Sequence, residues 1–130
     1  MDAETRERLS DVFASLPEVK LAYFFGSRSR GQDGPLSDYD FAVYVDEQNA
    51  LTIHDIRLSL MERIGQVVGS NRVDVVMLNT AVSPELKYHA IATGILLFER
   101  EPFKVLVEPR VLNEYFDHRD LLRRNGLTQA

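Results

Sequence analysis

The sequence predicts an α/β (α+β) fold in which a small mixed β-sheet is flanked by helices. Short apolar runs that end at glycine or turn residues alternate with longer segments whose apolar residues repeat every three or four positions. The 130 residues fit one domain, 1–130, because single cores usually need roughly 100 to 150 residues. We expect its core at about 19–100 and a C-terminal helical tail at about 102–130.

The first half of the chain is predicted to hold a helix, two strands and the loop between them. Residues 3–16 space their apolar side chains at helical intervals. Residues 19–25 form an apolar and aromatic run, typical of a buried strand, that stops at Gly26. The turn-forming segment 31–37 predicts a loop, and a second strand follows at 39–45.

The next helix and strand are predicted at 52–68 and 72–78. Apolar residues recur at three and four positions along the helix, Thr52 and Asp55 resemble a capping box, and Gly69 follows as the expected stop. The strand is rich in valine, so we expect it to be buried on both faces.

The last part of the chain is predicted to add a helix, a strand and a tail helix. Ser83 before Pro84 is a typical helix start, and Gly94 is placed to end that helix. A short strand follows at 95–98. Partial helical periodicity over 105–122 predicts a tail helix despite an internal proline.

Composition limits the partners and the metals that we expect. The net charge of −5 and the lack of a long basic run argue against a long nucleic acid as partner. No apolar stretch is long enough to cross a membrane, and the acidic start does not resemble a signal peptide, so we expect a cytoplasmic protein. Because there is no cysteine, a metal would be held by carboxylates or histidines, and carboxylates favour hard ions such as magnesium.

Three aspartates form the candidate catalytic and metal-binding group. Asp38 and Asp40 lie two apart at the start of the second strand, so their side chains share a face about 6.5 Å from one another. Asp74 lies near the start of the third strand and can join them. A single aspartate there would be explained by a strand end or a turn. Three like charges on core strands instead favour a bound cation.

The end of the first strand is a candidate site for phosphate. Gly26 and Ser27 close the strand at a tight turn, where backbone N–H groups and a hydroxyl can converge on an anion. Arg28 and Arg30 follow and could donate to phosphate oxygens. Taken alone, a Gly-Ser pair after a strand is an ordinary turn, and its significance comes from its spacing to the acids.

That spacing carries a resemblance to a known family. Gly26-Ser27, ten intervening residues and Asp38-Tyr39-Asp40 match G-S-x10-D-x-D, with Asp74 as a later third acid. The chain thus resembles the DNA polymerase beta-like nucleotidyltransferase superfamily. More narrowly, it is similar to the minimal nucleotidyltransferases (MNT), the antitoxins of HEPN/MNT toxin-antitoxin pairs. The stretches that carry this likeness are 24–31 (FFGSRSRG), 37–43 (SDYDFAV), 73–76 (VDVV) and 94–99 (GILLFE).

The resemblance implies a nucleotidyltransferase fold and a reaction. Asp38, Asp40 and Asp74 would coordinate magnesium, with Asp74 also placed to act as base, while Gly26 and Ser27 would hold the triphosphate of ATP. The chain would then transfer AMP to a tyrosine of a HEPN RNase toxin and silence it.

Two other functions stay open at the level of sequence. One is a small-molecule nucleotidyltransferase of the aminoglycoside-modifying kind, which would need a further domain or a homodimer to build the acceptor pocket. The other is an antitoxin that forms a hetero-oligomer with its toxin and neutralises it by binding alone.

Overall fold

The computed structural model describes residues 1–26, 28–29, 31 and 38–126. Apart from Gly31, the predicted loop at 31–37 lies outside these ranges, as do Ser27 and Arg30. The helices and strands of the described ranges, in chain order, are α1 Ala3–Ala14, β1 Val19–Phe25, β2 Tyr39–Val45, α2 Ala50–Val68, β3 Val73–Met77, α3 Pro84–Thr93, β4 Ile95–Glu99 and α4 Phe103–Arg124.

The four strands form one mixed sheet with the order β3-β2-β1-β4. β1 runs antiparallel to both of its neighbours, β2 and β4, while β2 and β3 are parallel. Parallel neighbours need a crossover, and α2 supplies it. The predicted order of elements and the mixed sheet are confirmed, and β3 and β4 are the edge strands.

Helices cover both faces of this sheet, and alternation along the strands divides the core in two. On one face, α1 and α2 pack over Phe24, Phe41 and Val43. On the other, α3 and α4 pack over Tyr23 and Ala42. Because side chains alternate along β2, Asp40 shares the face of Ala42, which is the α3/α4 face.

The start of α2 differs from the prediction. The helix begins two residues earlier, at Ala50, and its N-cap is Asn49, whose side-chain oxygen accepts a hydrogen bond from the Thr52 backbone N–H at 3.0 Å. The proposed capping box of Thr52 and Asp55 is therefore wrong, because an asparagine three residues upstream satisfies the first free N–H groups. The predicted stop at Gly69 is confirmed, with φ of +71°.

The prediction that the third strand is buried on both faces is also wrong. Val73, Val75 and Met77 are buried against the α1/α2 side, but Asp74 and Val76 are only half-buried. The reason is that β3 is an edge strand and the α3/α4 layer covers it incompletely. Asp74 therefore faces a partly open region.

The C-terminal half is built as predicted. Ser83 caps α3 by accepting a hydrogen bond from the Leu86 backbone N–H, and Pro84 is its first residue. The tail is a 22-residue helix, α4, which continues through its internal proline. The Tyr23 hydroxyl donates a hydrogen bond to Glu108 of α4, and burial together with that carboxylate raises the pKa of Tyr23 well above its ordinary value.

Within the described residues, no helix has both the length and the apolar character that a membrane crossing requires.

Candidate active site

Gly26 and Asp40 meet where β1 ends and β2 begins. The antiparallel register places Phe25 opposite Asp40, and the chain then turns at Gly26 with φ of +85°. A Cβ atom added at Gly26 would lie 2.5 Å from Oδ2 of Asp40. Glycine is thus required here for two reasons: it adopts the left-handed backbone without strain, and it leaves room for the carboxylate.

Asp40 and Asp74 are direct neighbours across the sheet. They are paired in the parallel register of β2 and β3, whose backbones lie about 4.8 Å apart. Burial raises the pKa of the Asp40 carboxyl, and the negative charges of Asp74 and Asp38 raise it further. The structure therefore brings Asp74 and Asp38 close enough to Asp40 to act on it electrostatically.

Two arginines that the sequence did not single out contact Asp74 and Asp38. Arg57 of α2 donates through Nη2 to Oδ1 of Asp74 at 3.1 Å and through Nε to the carbonyl oxygen of Val75 at 2.7 Å. Arg72 forms an ion pair with Asp38, with 3.1 Å between Nε and Oδ1. A signal for Arg57 was present, because it lies four residues after Ile53 and three before Leu60, which places it next to the buried stripe of its helix.

Arg28 contacts Tyr39, the residue between Asp38 and Asp40. Its guanidinium stacks over the ring of Tyr39, 4.2 Å from the ring centroid. Both residues line a cavity of about 340 Å³ on the α1/α2 side, together with residues such as Phe24 and Val68. The contact between Arg28 and a phosphate stays a prediction, as do the roles of Ser27 and Arg30, which lie outside the described residues.

Asp38, Asp40 and Asp74 provide the oxygen atoms that a divalent metal would need. Throughout the ranges that the structure describes, no three acidic, histidine or cysteine side chains are already gathered into a metal-binding cluster. Asp38 and Asp74 turn one oxygen each to an arginine instead. The chemistry nevertheless fits, because these are hard carboxylate oxygens whose mutual repulsion at Asp40 a cation would relieve.

Comparison with known proteins defines the class. The family model described as polymerase beta, nucleotidyltransferase, matches residues 7–103, which is most of the chain and ends where α4 begins. The chain therefore belongs to the polymerase beta nucleotidyltransferase family, as the spacing of its glycine and aspartates predicted.

A particular relative narrows the likeness. The chain is 31% identical over 103 residues to the protein adenylyltransferase MntA of Aphanizomenon flos-aquae (strain 2012/KM1/D3). The matched region covers 75% of this chain and 68% of the relative.

Solved structures support the fold. A toxin-antitoxin complex with AMP-PNP contains a chain that matches with a TM-score of 0.73 at 22% identity. A complex of the tri-AMPylated Shewanella oneidensis HEPN toxin with an MNT antitoxin matches with a TM-score of 0.72 at 21% identity. Each match covers 95% of this chain and 94% of the other. The predicted nucleotidyltransferase fold is confirmed.

Proposed function

We propose that this chain is a cytoplasmic antitoxin that transfers AMP from ATP to a tyrosine hydroxyl of a cognate HEPN RNase toxin. The observation that carries the proposal is the contact of the Gly26 turn with Asp40, beside Asp74 on the next strand. Support for protein as acceptor comes from the relative, which is named a protein adenylyltransferase. Support for a HEPN partner comes from the structural neighbour in complex with a tri-AMPylated HEPN toxin.

The three aspartates would hold the metal of this reaction. Asp38, Asp40 and Asp74 supply only carboxylate oxygens, which suit magnesium. Bound magnesium would supply positive charge that aligns the α-phosphate with its attacker and stabilises the leaving pyrophosphate. Ion pairs with Arg57 and Arg72 neutralise two of the acids in the structure, so the site is already built to balance negative charge with cations.

The chain's own residues would orient the nucleotide and take up the proton. The turn at Gly26 and Ser27 would bind the triphosphate through backbone N–H groups and the serine hydroxyl. The tyrosine oxygen forms a bond to the α-phosphorus, and the bond from that phosphorus to the oxygen bridging to the β-phosphate breaks. Pyrophosphate leaves with the bonding electrons. Asp74 accepts the proton that the tyrosine hydroxyl loses.

The acceptor is identified by following the label. The chain is incubated with magnesium and ATP labelled at the α-phosphate, together with the co-purified HEPN toxin, and the products are separated by size. We expect label on the toxin, and its loss when the acceptor tyrosine is replaced by phenylalanine. Asp40→Asn should abolish labelling, whereas Asp55→Asn, a matched change at an exposed position of α2, should not.

Two results would contradict the proposal. Label that appears on an aminoglycoside and not on the toxin would make the chain a small-molecule nucleotidyltransferase. Neutralisation of the toxin that persists without label, and is unchanged by Asp40→Asn, would make it an antitoxin that acts by binding alone.

A further inference from the structure

Arg57 reaches Asp74 from the opposite side of the sheet. It belongs to α2, which packs on the α1/α2 face, whereas Asp40 and its register partner Asp74 belong to the other face. The side chain can pass around the sheet because β3 is an edge strand. The contact between Arg57 and Asp74 is therefore set by the tertiary fold.

Arg57 contacts β3 through two hydrogen bonds. Its Nε donates to the backbone carbonyl of Val75 at 2.7 Å, and its Nη2 donates to Oδ1 of Asp74 at 3.1 Å. The backbone contact fixes the plane of the guanidinium, and that plane then fixes the carboxylate. A carboxylate held through Oδ1 presents its second oxygen, Oδ2, in a defined direction.

The ion pair of Arg72 with Asp38 is more solvated. The two aspartates are alike, with Asp38 51% and Asp74 50% exposed, but the side chain of Arg72 is 48% exposed and that of Arg57 only 32%. Ion pairs at exposed positions contribute little because water and salt screen them. Of the two arginines, Arg57 is the one that is built into the fold.

We infer that Arg57 is a positioning residue that orients Asp74 for divalent metal, an assignment that rests on the proposed function. Residues that hydrogen-bond a metal ligand fix its orientation, and their loss typically lowers metal affinity by about 10- to 100-fold. Arg57 would not contact the substrate itself. Its effect passes through the Asp74 carboxylate alone.

The test measures binding of Mn²⁺ alone by electron paramagnetic resonance, so that it does not depend on catalysis. Arg57→Gln is compared with Arg63→Gln, a matched change on the same helix, and thermal unfolding of each variant is recorded. We expect Arg57→Gln to bind Mn²⁺ about 10- to 100-fold more weakly and Arg63→Gln to match the wild type. Arg57→Lys keeps the positive charge but loses the planar guanidinium, so its affinity for Mn²⁺ should lie between those of the other two variants.

A double-mutant cycle with Asp74→Asn separates positioning from a general effect on the fold. In the Asp74→Asn background, Arg57→Gln should cause no further loss of Mn²⁺ affinity. If Arg57→Gln does not fold, the same cycle is run with Arg57→Lys.

Two outcomes would overturn the inference: wild-type affinity in the folded Arg57 variant, or an equal loss in the presence and absence of the Asp74 carboxylate. Failure of the proposed function is seen separately, as absence of AMP transfer by the wild-type protein.

Discussion

Gly26 and Asp40 are in contact at the end of β1, where a Cβ on residue 26 would lie 2.5 Å from Oδ2 of the carboxylate. This contact gives a physical reason for the spacing between the glycine and the acids. The antiparallel pairing of β1 and β2 brings the two residues together, and the loop between the strands sets their separation in sequence.

Gly26→Ala should inactivate the enzyme. The added methyl group would displace the Asp40 carboxylate, and a displacement of about 1 Å in a catalytic group lowers turnover about 100-fold. The left-handed backbone adds about 1–2 kcal/mol of strain. Gly69→Ala is the matched control, because Gly69 has a similar φ of +71° with nothing within 4 Å of the added Cβ. It should lose similar stability and keep its turnover, and equal loss of turnover in the two variants would contradict the account.

Asp40→Asn should stabilise the fold at neutral pH. Burial and the neighbouring acids raise the pKa of Asp40 above its ordinary 3.8, so its ionised form destabilises the folded state. The gain in melting temperature should therefore grow as pH rises from 3.8 through the raised pKa, and disappear in acid. Thermal unfolding across this pH range checks it. A gain that is independent of pH, or equal in Asp55→Asn, would show that ionisation of Asp40 is not the cause.

Tyr23→Phe should weaken the attachment of α4 to the sheet. The substitution removes the hydrogen bond from the buried hydroxyl to Glu108, and such bonds to a charged partner contribute about 1.5–3 kcal/mol. Urea unfolding measures the loss. Tyr44→Phe, at a half-buried position on the same face, should change stability by less than about 0.5 kcal/mol. Equal effects at the two positions would argue against a specific role of the Glu108 contact.

Asn49→Ala should destabilise α2 more than Thr52→Ala does. Asn49 provides the side-chain cap, and replacing such a residue with alanine costs about 0.5–2 kcal/mol. Thr52 donates its backbone N–H, which alanine also has, and alanine favours helix more than threonine does. Chemical unfolding of both variants distinguishes them, and the reverse order of stability would restore Thr52 as the cap.

Local patterns were sufficient to predict the order of helices and strands and the proximity of Asp74 to Asp40. Alternation along β2 orients Asp40, whereas Asp38 lies one residue before the strand begins, and turn residues mark where β1 ends. The third acid could be predicted from its place near the start of another strand, and the structure pairs Asp74 with Asp40 in the register of β2 and β3.

The contacts of the arginines could not be predicted, because they depend on which strands form the edges. Arg57 reaches Asp74 around β3, which is an edge strand among the described residues, and the strand order is a tertiary property. The same fact explains why β3 is not buried on both faces. Arg28 illustrates another limit, since its guanidinium stacks on Tyr39 on the face away from Asp40, a choice that sequence spacing does not encode.

The most direct test of the central claim is intact mass spectrometry of the HEPN toxin after reaction with ATP and magnesium, in the presence of wild-type protein or the Asp40→Asn variant. The account predicts a mass increase of one or more AMP units with the wild type and an unmodified toxin with Asp40→Asn, although the variant stays folded and bound. An unmodified toxin with both proteins, or equal modification by both, would contradict the claim that the Gly26 and Asp40 site transfers AMP.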